Sequence, residues 1–337
     1  LAAVFNATDI NELLKNFGQS TQANDPIIHF YETFLSEYDS KLRKARGVWY
    51  TPEPVVKFMV RAVDDILKTE FGLSRGIADT SKTKIKIKTN EPNKNFKSGY
   101  KEIEKEVHKV QFLDPATGTG TFLAEIIKHI HKGFSAMQGA WPSYVEKDLI
   151  PRLNGFELLM ASYAMAHLKL DLLLTETGYK PTINQRFKVY LTNSLEEAHQ
   201  DTGSLFLKMF SMEASEANLV KRDTPVMCVI GNPPYKGESS NKGKWIMNLM
   251  EDYKKEPGGK EKLKERNPKW INDDYVKFIR YSQHYIEKNG TGVLAFINPH
   301  GFLDNPTFRG MRWNLLKTYD KIYTIDLHGN SKKKESA

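Results

Sequence analysis

Asn232, Pro233, Pro234 and Tyr235 follow directly on the apolar run Pro225-Val226-Met227-Cys228-Val229-Ile230 and on Gly231. The run is short and rich in β-branched residues, the pattern of a strand buried on both faces of a sheet. Neither proline can donate a ladder hydrogen bond, so the strand must end there with backbone carbonyls left over. That ending suits one kind of chemistry. An exocyclic amino group on a nucleobase is a poor nucleophile, because its lone pair is delocalised into the ring. The Asn232 side-chain oxygen and the Pro233 carbonyl are two fixed acceptors that could hold both of its N–H bonds out of the ring plane and so localise that lone pair. The Tyr235 ring could stack on a base taken out of a duplex. A strand ending in a turn, with Tyr235 covering a core edge, accounts for the same four residues, so the surrounding motifs have to decide.

Three other strand ends carry polar groups of the right kind. Val110-Gln111-Phe112-Leu113 runs straight into Asp114-Pro115-Ala116-Thr117-Gly118-Thr119-Gly120, and a helix begins near Phe122. Strand, glycine-bearing turn and helix form the first half of a nucleotide-binding unit, in which small residues let a ligand approach the backbone. Gly-x-Gly alone would mark a tight turn equally well. Asp114 is more telling, since a carboxylate there suits a ligand ammonium group and would repel the pyrophosphate of a dinucleotide, which argues against an oxidoreductase. The next strand, Leu153 to Glu157, ends on an acid that could accept both hydroxyls of a ribose or stabilise the dipole of the helix that follows. That helix carries Met160, Ala164, Leu168 and Leu172 at helical spacing. A third strand, Phe187 to Leu191, delivers Thr192-Asn193-Ser194-Leu195, where Asn193 could read an adenine edge or cap a turn.

Alternating strands and helices predict an α/β fold with a doubly wound, mostly parallel sheet, whose ligands bind outside the carboxyl ends of the strands. If the first and fourth of these strands are neighbours, about 5 Å separates them, and a ligand over Asp114 lies beside a base held by Asn232 to Tyr235.

The remaining elements must position those ends. Residues 1–47 read as helical, with Asp9 capping one short helix that ends at Gly18, and Asp25-Pro26 starting another. Tyr50-Thr51-Pro52 then precedes a helix with Val55, Met59, Val63, Ile66 and Leu67 inward; Thr51 is a suitable N-cap, and a helix N-terminus of this kind is also an anion site. Residues 76–109 are lysine-rich, and Lys84-Ile85-Lys86-Ile87-Lys88 alternates like an edge strand or hairpin arm, which reads as an insertion with a solvated face. A helix is expected from Ser204 to Ala217, a polar, lysine-rich stretch over 236–270 that includes a mobile loop beside the site, and a helix from Tyr275 to Lys288. Gly292–Ile297 reads as a strand, Phe308–Tyr319 as a helix and Lys321–Leu327 as the last strand. Gly237 to Lys244 superficially resembles a P-loop, but the spacing is wrong and Trp245 stands where Ser or Thr is required.

With 337 residues, 40% apolar and 27% charged, the composition is that of a globular protein, and the formal charge of +8 fits a polyanionic partner. No apolar run approaches the roughly 18 residues that span a bilayer. The start, Leu1-Ala2-Ala3, lacks a signal-peptide pattern and a methionine, which suggests part of a longer chain. A single cysteine, Cys228, excludes an internal disulfide and sits in the buried strand as an inert core thiol. His129 and His131 are two apart on a helix and point to different sides, so no metal site is expected.

As an ordered set, Tyr50-Thr51-Pro52, Asp114-Pro115-Ala116-Thr117-Gly118-Thr119-Gly120 and Asn232-Pro233-Pro234-Tyr235 resemble the S-adenosylmethionine-dependent DNA adenine-N6 methyltransferases of the gamma arrangement, over roughly residues 47–330. The resemblance implies a class I, Rossmann-like methyltransferase fold. It implies that Tyr50, Thr51 and the turn Asp114 to Gly120 hold the methionine end of the cofactor, that Glu157 takes the ribose hydroxyls, and that Leu158 lies on the adenine face. Family members often carry Asp where Asn193 aligns against the adenine. More narrowly, Phe308-Arg309-Gly310-Met311-Arg312 and the run from Asp326 to Glu335 resemble the methyltransferase region of type ISP restriction-modification enzymes. Those are prokaryotic, cytoplasmic polypeptides that join nuclease, helicase-like ATPase, coupling, methyltransferase and target-recognition parts. By that likeness 1–47 is the end of the coupling segment, 48–337 is the catalytic domain, the partner is double-stranded DNA with a flipped adenine, and a last strand and the recognition domain lie beyond this chain. Two alternatives stay open: an N-methyltransferase acting on RNA or a protein amide, and a non-catalytic DNA-binding or coupling module that retains the fold.

Overall fold

The computed structural model describes residues 51–93, 95, 100–197, 208–235, 239–265 and 268–328. The helices expected within 1–47, and Tyr50, lie outside the described residues.

Five parallel strands form the central sheet: β3 (Phe112–Asp114), β4 (Leu153–Glu157), β5 (Lys188–Leu191), β6 (Cys228–Gly231) and β7 (Val293–Phe296), in the order β5-β4-β3-β6-β7. The first and fourth strands of the unit are therefore neighbours, with Phe112 opposite Cys228 and Leu113 opposite Val229. On the other side Asp114 stands opposite Gly155. Every residue of β3, β4 and β6 is buried, which is why these strands read as continuous apolar runs.

The helices divide between the two faces. On one side lie α1 (Glu53–Thr69), α2 (Thr121–Lys132) and α3 (Met160–Glu176). Their core includes Val60, Leu67, Leu123, Ile127 and Leu170. On the other lie α4 (Lys208–Asp223), α5 (Lys244–Met250) and α6 (Asp274–Asn289), through Val220, Ile246, Phe278 and Tyr281. A third cluster seats α7 (Arg309–Thr318) on α6 through Tyr275, Ile279, Phe308 and Met311.

Several elements differ from expectation. In α3 the residues Met160, Leu168 and Leu172 are exposed, and Ala166, Leu170, Leu173 and Leu174 face the sheet. The helix is apolar nearly all round, so its periodicity does not single out one face. Within the polar stretch after β6, Ile246 and Met250 anchor α5, and a turn follows that closes on a bridge between Lys255 and Lys262. The apolar Trp245, Ile246, Leu249 and Met250, spaced for one helix face, were the signal inside that lysine background. Lys321–Leu327 forms no strand, and Ile322, Tyr323, Ile325 and Leu327 are exposed. Alternation marks a segment able to be a strand, and pairing with a neighbour is what makes it one.

The lysine-rich segment forms an antiparallel pair, β1 (Lys82–Pro92) with β2 (Tyr100–His108). Lys84 and Lys86 stand opposite Glu106 and Glu104, so lysine faces glutamate across the ladder. His129 meets Asp64 at 3.0 Å while His131 packs on Trp141, on different sides of α2 as their spacing requires. Burial pushes the Cys228 thiol up to about 12, in keeping with an inert core thiol. No described helix is long and apolar enough to cross a membrane.

Candidate active site

Asp114, Glu157, Asn193 and Asn232 all fall at or just beyond the carboxyl ends of strands, and the order of the sheet puts the first, second and fourth of them on adjacent strands. Asp114 closes β3 and is fully buried. Its Oδ1 accepts from the Ala116 backbone N–H at 3.1 Å, while Oδ2 is buried without a hydrogen-bond partner. Burial pushes this carboxyl up to about 8 despite that N–H, and the Glu157 charge adds to the rise. Gly231 makes the close approach possible, since a Cβ there would meet Asp114 Oδ1 at 2.7 Å.

The turn after β3 is tied down at most of its residues. Pro115 O accepts from the Ser194 hydroxyl at 2.5 Å, and Thr117 donates its N–H to Phe156 O at 3.0 Å and its hydroxyl to Asp114 O at 3.0 Å. Gly118 and Gly120 both take positive φ, 56° and 79°, conformations that glycine adopts without steric cost. Gly118 N–H donates to Glu157 Oε2 at 2.8 Å, and Glu157 Oε1 accepts from Leu158 and Leu159 N–H at 2.9 and 2.7 Å. Burial nonetheless raises the Glu157 pKa above its ordinary value. Leu158 beside it is about half exposed at 51%, an apolar surface at the mouth of the site.

At the end of β6 the Asn232 carboxamide is held at both of its atoms. Its Nδ2 donates to Thr51 Oγ1 at 2.9 Å, and its Oδ1 accepts from the Tyr235 hydroxyl at 2.7 Å. That hydroxyl also lies 3.1 Å from Ile297 O, beyond the end of β7, and the Tyr235 ring meets Tyr275 edge-on at 6.3 Å. Pro233 is buried, and Pro234 and Tyr235 are partly exposed. Thr51 does not cap α1: Pro52 occupies that position with no side-chain cap bond, and the buried Thr51 side chain turns to Asn232 instead. Asn193 caps a turn, with Oδ1 accepting from Leu195 N–H at 3.0 Å, and its Nδ2 donates to Glu196 and Asn241.

The structure thus gathers the candidate residues on β3, β4 and β6 and links Thr51 to them. Sequence reasoning gave no role to Ser194, Asn241, Lys221 or the Ile297 carbonyl. Lys221 Nζ donates to Asn193 O at 2.8 Å and to Thr192 Oγ1 at 3.1 Å, and no pattern in the sequence marks such a contact. A cavity of about 200 Å³ lies behind the Asn193 loop, between Lys221, Trp245 and Tyr285, and Asp114 is not among its lining residues.

A doubly wound sheet of this order, with acids ending its first two strands and Asn-Pro-Pro-Tyr ending the fourth, defines a class I methyltransferase fold. The profile described as Eco57I restriction-modification methylase matches residues 156–332, more than half of the sequence, and the chain belongs to that family. A second profile, N-6 DNA Methylase, matches residues 22–74. Among solved structures, the cryoEM DrdV–DNA complex is 23% identical with a TM-score of 0.61, covering 88% of this chain and 25% of that one. The ATP-dependent type ISP restriction-modification enzyme LlaBIII bound to DNA is 20% identical with a TM-score of 0.62, over 86% of this chain and 18% of that one. A nuclease-deletion mutant of the type ISP enzyme LlaGI, in complex with a DNA substrate mimic, is 22% identical with a TM-score of 0.62, over 89% and 21%. At these identities the likeness is one of fold, and this chain spans a quarter or less of each of those proteins. No curated protein matches it.

Proposed function

We propose that this chain transfers a methyl group from S-adenosylmethionine to the N6 amino group of adenine in DNA. The observation that carries the reading is the Asn232 carboxamide, fixed between Thr51 and Tyr235 on the strand next to the buried, half-partnered Asp114.

The cofactor fits the residues present. Two buried carboxylates at neighbouring strand ends, one with an orphaned oxygen, are complementary to a ligand with a cationic end and a diol. Asp114 Oδ2 would take the ammonium group, with Tyr50, Thr51 and the turn Pro115-Ala116-Thr117-Gly118 to Gly120 around the methionine end. Glu157 would accept the ribose hydroxyls, and Leu158 would cover one face of the adenine near Asn193. Bound there, S-adenosylmethionine supplies an electrophilic methyl group on a sulfonium.

The chain's own part is positioning and electrostatics. Asn232 Oδ1 has a second lone pair beyond the one the Tyr235 hydroxyl occupies, and with the Pro233 carbonyl it would accept the two N–H bonds of the target amine. Pro234 keeps the turn free of a competing N–H, and the Tyr235 ring would stack on the flipped base. The amine loses its proton only after becoming cationic, so no strong base is required. By its family and its partial coverage of the type ISP structures, we assign the chain to the modification part of a restriction-modification enzyme. In that assignment residues 1–47 couple residues 48–337 to nuclease, helicase-like and target-recognition parts of a longer cytoplasmic polypeptide.

Calorimetric titration with S-adenosylmethionine tests this directly, comparing wild type with Glu157→Ala. Saturable one-to-one binding that weakens at least tenfold in the variant is expected. Binding of equal strength in both proteins would remove Glu157 from the site, and no binding by a folded wild type would overturn the reading.

A further inference from the structure

Lys277 is buried to 1% exposure in the first turn of α6. Removing an ammonium group from water is costly unless it is paired and hydrogen-bonded, so a buried lysine needs a reason. Its Nζ donates to the Ser239 hydroxyl at 2.6 Å and to the backbone carbonyl of Asn241, and Asp273 and Asp274 supply nearby opposite charge. Those contacts hold the segment that follows Asn232–Tyr235 and leads into α5. Asn241 is the hub of that segment. Its N–H donates to Ser239 Oγ at 3.0 Å, its Nδ2 donates to Asp274 Oδ1 at 3.0 Å, and its Oδ1 accepts from Asn193 Nδ2 at 3.0 Å. The next residue after Asn193, Ser194, is bonded to Pro115 of the glycine-bearing turn.

Hydrogen bonds, joined by the Asn193–Ser194 peptide, therefore link α6, through the segment after the Asn-Pro-Pro-Tyr turn, to the loop after β5 and on to the Asp114 turn. Lysine suits the first link, because it offers three donors and no acceptor to a hydroxyl and a carbonyl that both accept. We propose that Lys277 is a positioning residue, which fixes Asn241 against Asn193 and so makes the target-side and cofactor-side loops one wall. The consequence for cofactor binding rests on the proposed function; the latch itself does not. Occupancy on the Asn193 side then stiffens residues 239–243, next to the place where the base is held.

The test uses Lys277→Met, which keeps the stem and removes the ammonium, together with Asn241→Ala, which leaves Lys277 in place and cuts the link to Asn193. Hydrogen exchange should rise about tenfold over residues 239–243 and 192–196 in Lys277→Met, with the core strands β3 and β6 unchanged. In Asn241→Ala the rise over 192–196 should recur. S-adenosylmethionine affinity should fall about tenfold in Lys277→Met, and the same substitution should add nothing in an Asn193→Ala background. Unchanged exchange in both segments, a uniform rise across the chain, or additive losses of affinity would each overturn the proposal. A wild type that binds no S-adenosylmethionine would overturn the proposed function and the cofactor half of this inference, while the exchange pattern would still decide the latch.

Discussion

The Asn232 carboxamide has one donating and one accepting end, and only the accepting end can hold an amine N–H. Thr51 and Tyr235 hold the two ends together: the Thr51 hydroxyl accepts the Nδ2 hydrogen, and Oδ1 faces the Tyr235 hydroxyl. Thr51→Val keeps the shape and removes the acceptor. Loss of one such bond, worth about 1–1.5 kcal/mol, should lower the single-turnover methylation rate about tenfold, and Thr51→Ser should restore most of it. An unchanged rate in the valine variant would mean that the Tyr235 hydroxyl alone orients the amide. Asp114 makes a second prediction. With its pKa raised by burial from 3.8 to about 8, the folded chain keeps a proton that the unfolded chain has lost between those values. The folded state then binds more protons, so the carboxyl's contribution to stability falls as pH rises through that window and is constant outside it. Asp114→Asn carries no such proton. Its stability relative to wild type, read from urea midpoints, should climb from pH 4 to pH 8 and then level off; a pH-independent difference would show that the carboxyl titrates normally.

Among the elements, α7 shows what a family-like motif can be for. Each residue of Phe308-Arg309-Gly310-Met311-Arg312 docks the helix: Phe308 and Met311 fill the third core, and the Arg309 guanidinium takes both oxygens of Glu256 at 2.6 and 2.8 Å. Arg312 donates to the carbonyls of Phe302 and Asn305. Gly310 lies so close to the Tyr253–Lys255 backbone that a Cβ would stand 1.9 Å from Lys255 O. Gly310→Ala should therefore destabilise the protein by about 1–3 kcal/mol, seen as a lower urea midpoint, through overpacking against backbone that cannot yield. A neutral substitution would mean that α7 shifts freely. The sheet strands were legible because burial on both faces leaves a continuous apolar run, and the strand ends because Asp, Glu and Asn-Pro-Pro-Tyr interrupt such runs. The face of α3 was not legible, since Leu168 and Leu172 are as apolar as Leu170 and Leu174. Thr51 misled for a related reason: a threonine before proline has local capping chemistry, and its partner lies 181 residues away. Asn241 was hidden in a polar, lysine-rich stretch, and Lys277 sits on the α6 helix, where only the folded chain shows that its ammonium is buried.

At the scale of the molecule, the site draws on residues from Thr51 to Ile297, and these reach it through both faces of one sheet. The third core is joined to it as well, since Tyr275 packs on Tyr235 and Phe296 borders both the second and third clusters. A ligand held by β3, β4 and the Asn193 loop should therefore stabilise one cooperative unit instead of a single lobe. At a concentration about 100 times its Kd, S-adenosylmethionine adds about 2.7 kcal/mol to the folded state. For a chain of this size that corresponds to a rise in Tm of about 3–6 °C. Far-ultraviolet circular dichroism, which follows the helices, and tyrosine and tryptophan fluorescence, which follows the aromatic cores, should shift together by that amount, and at the same ligand concentration both should shift by about half as much or less in Glu157→Ala. If only one probe moved, the α6–α7 core would be unfolding apart from the sheet, and the hydrogen-bonded wall from Lys277 to Pro115 could not carry occupancy from one side of the site to the other.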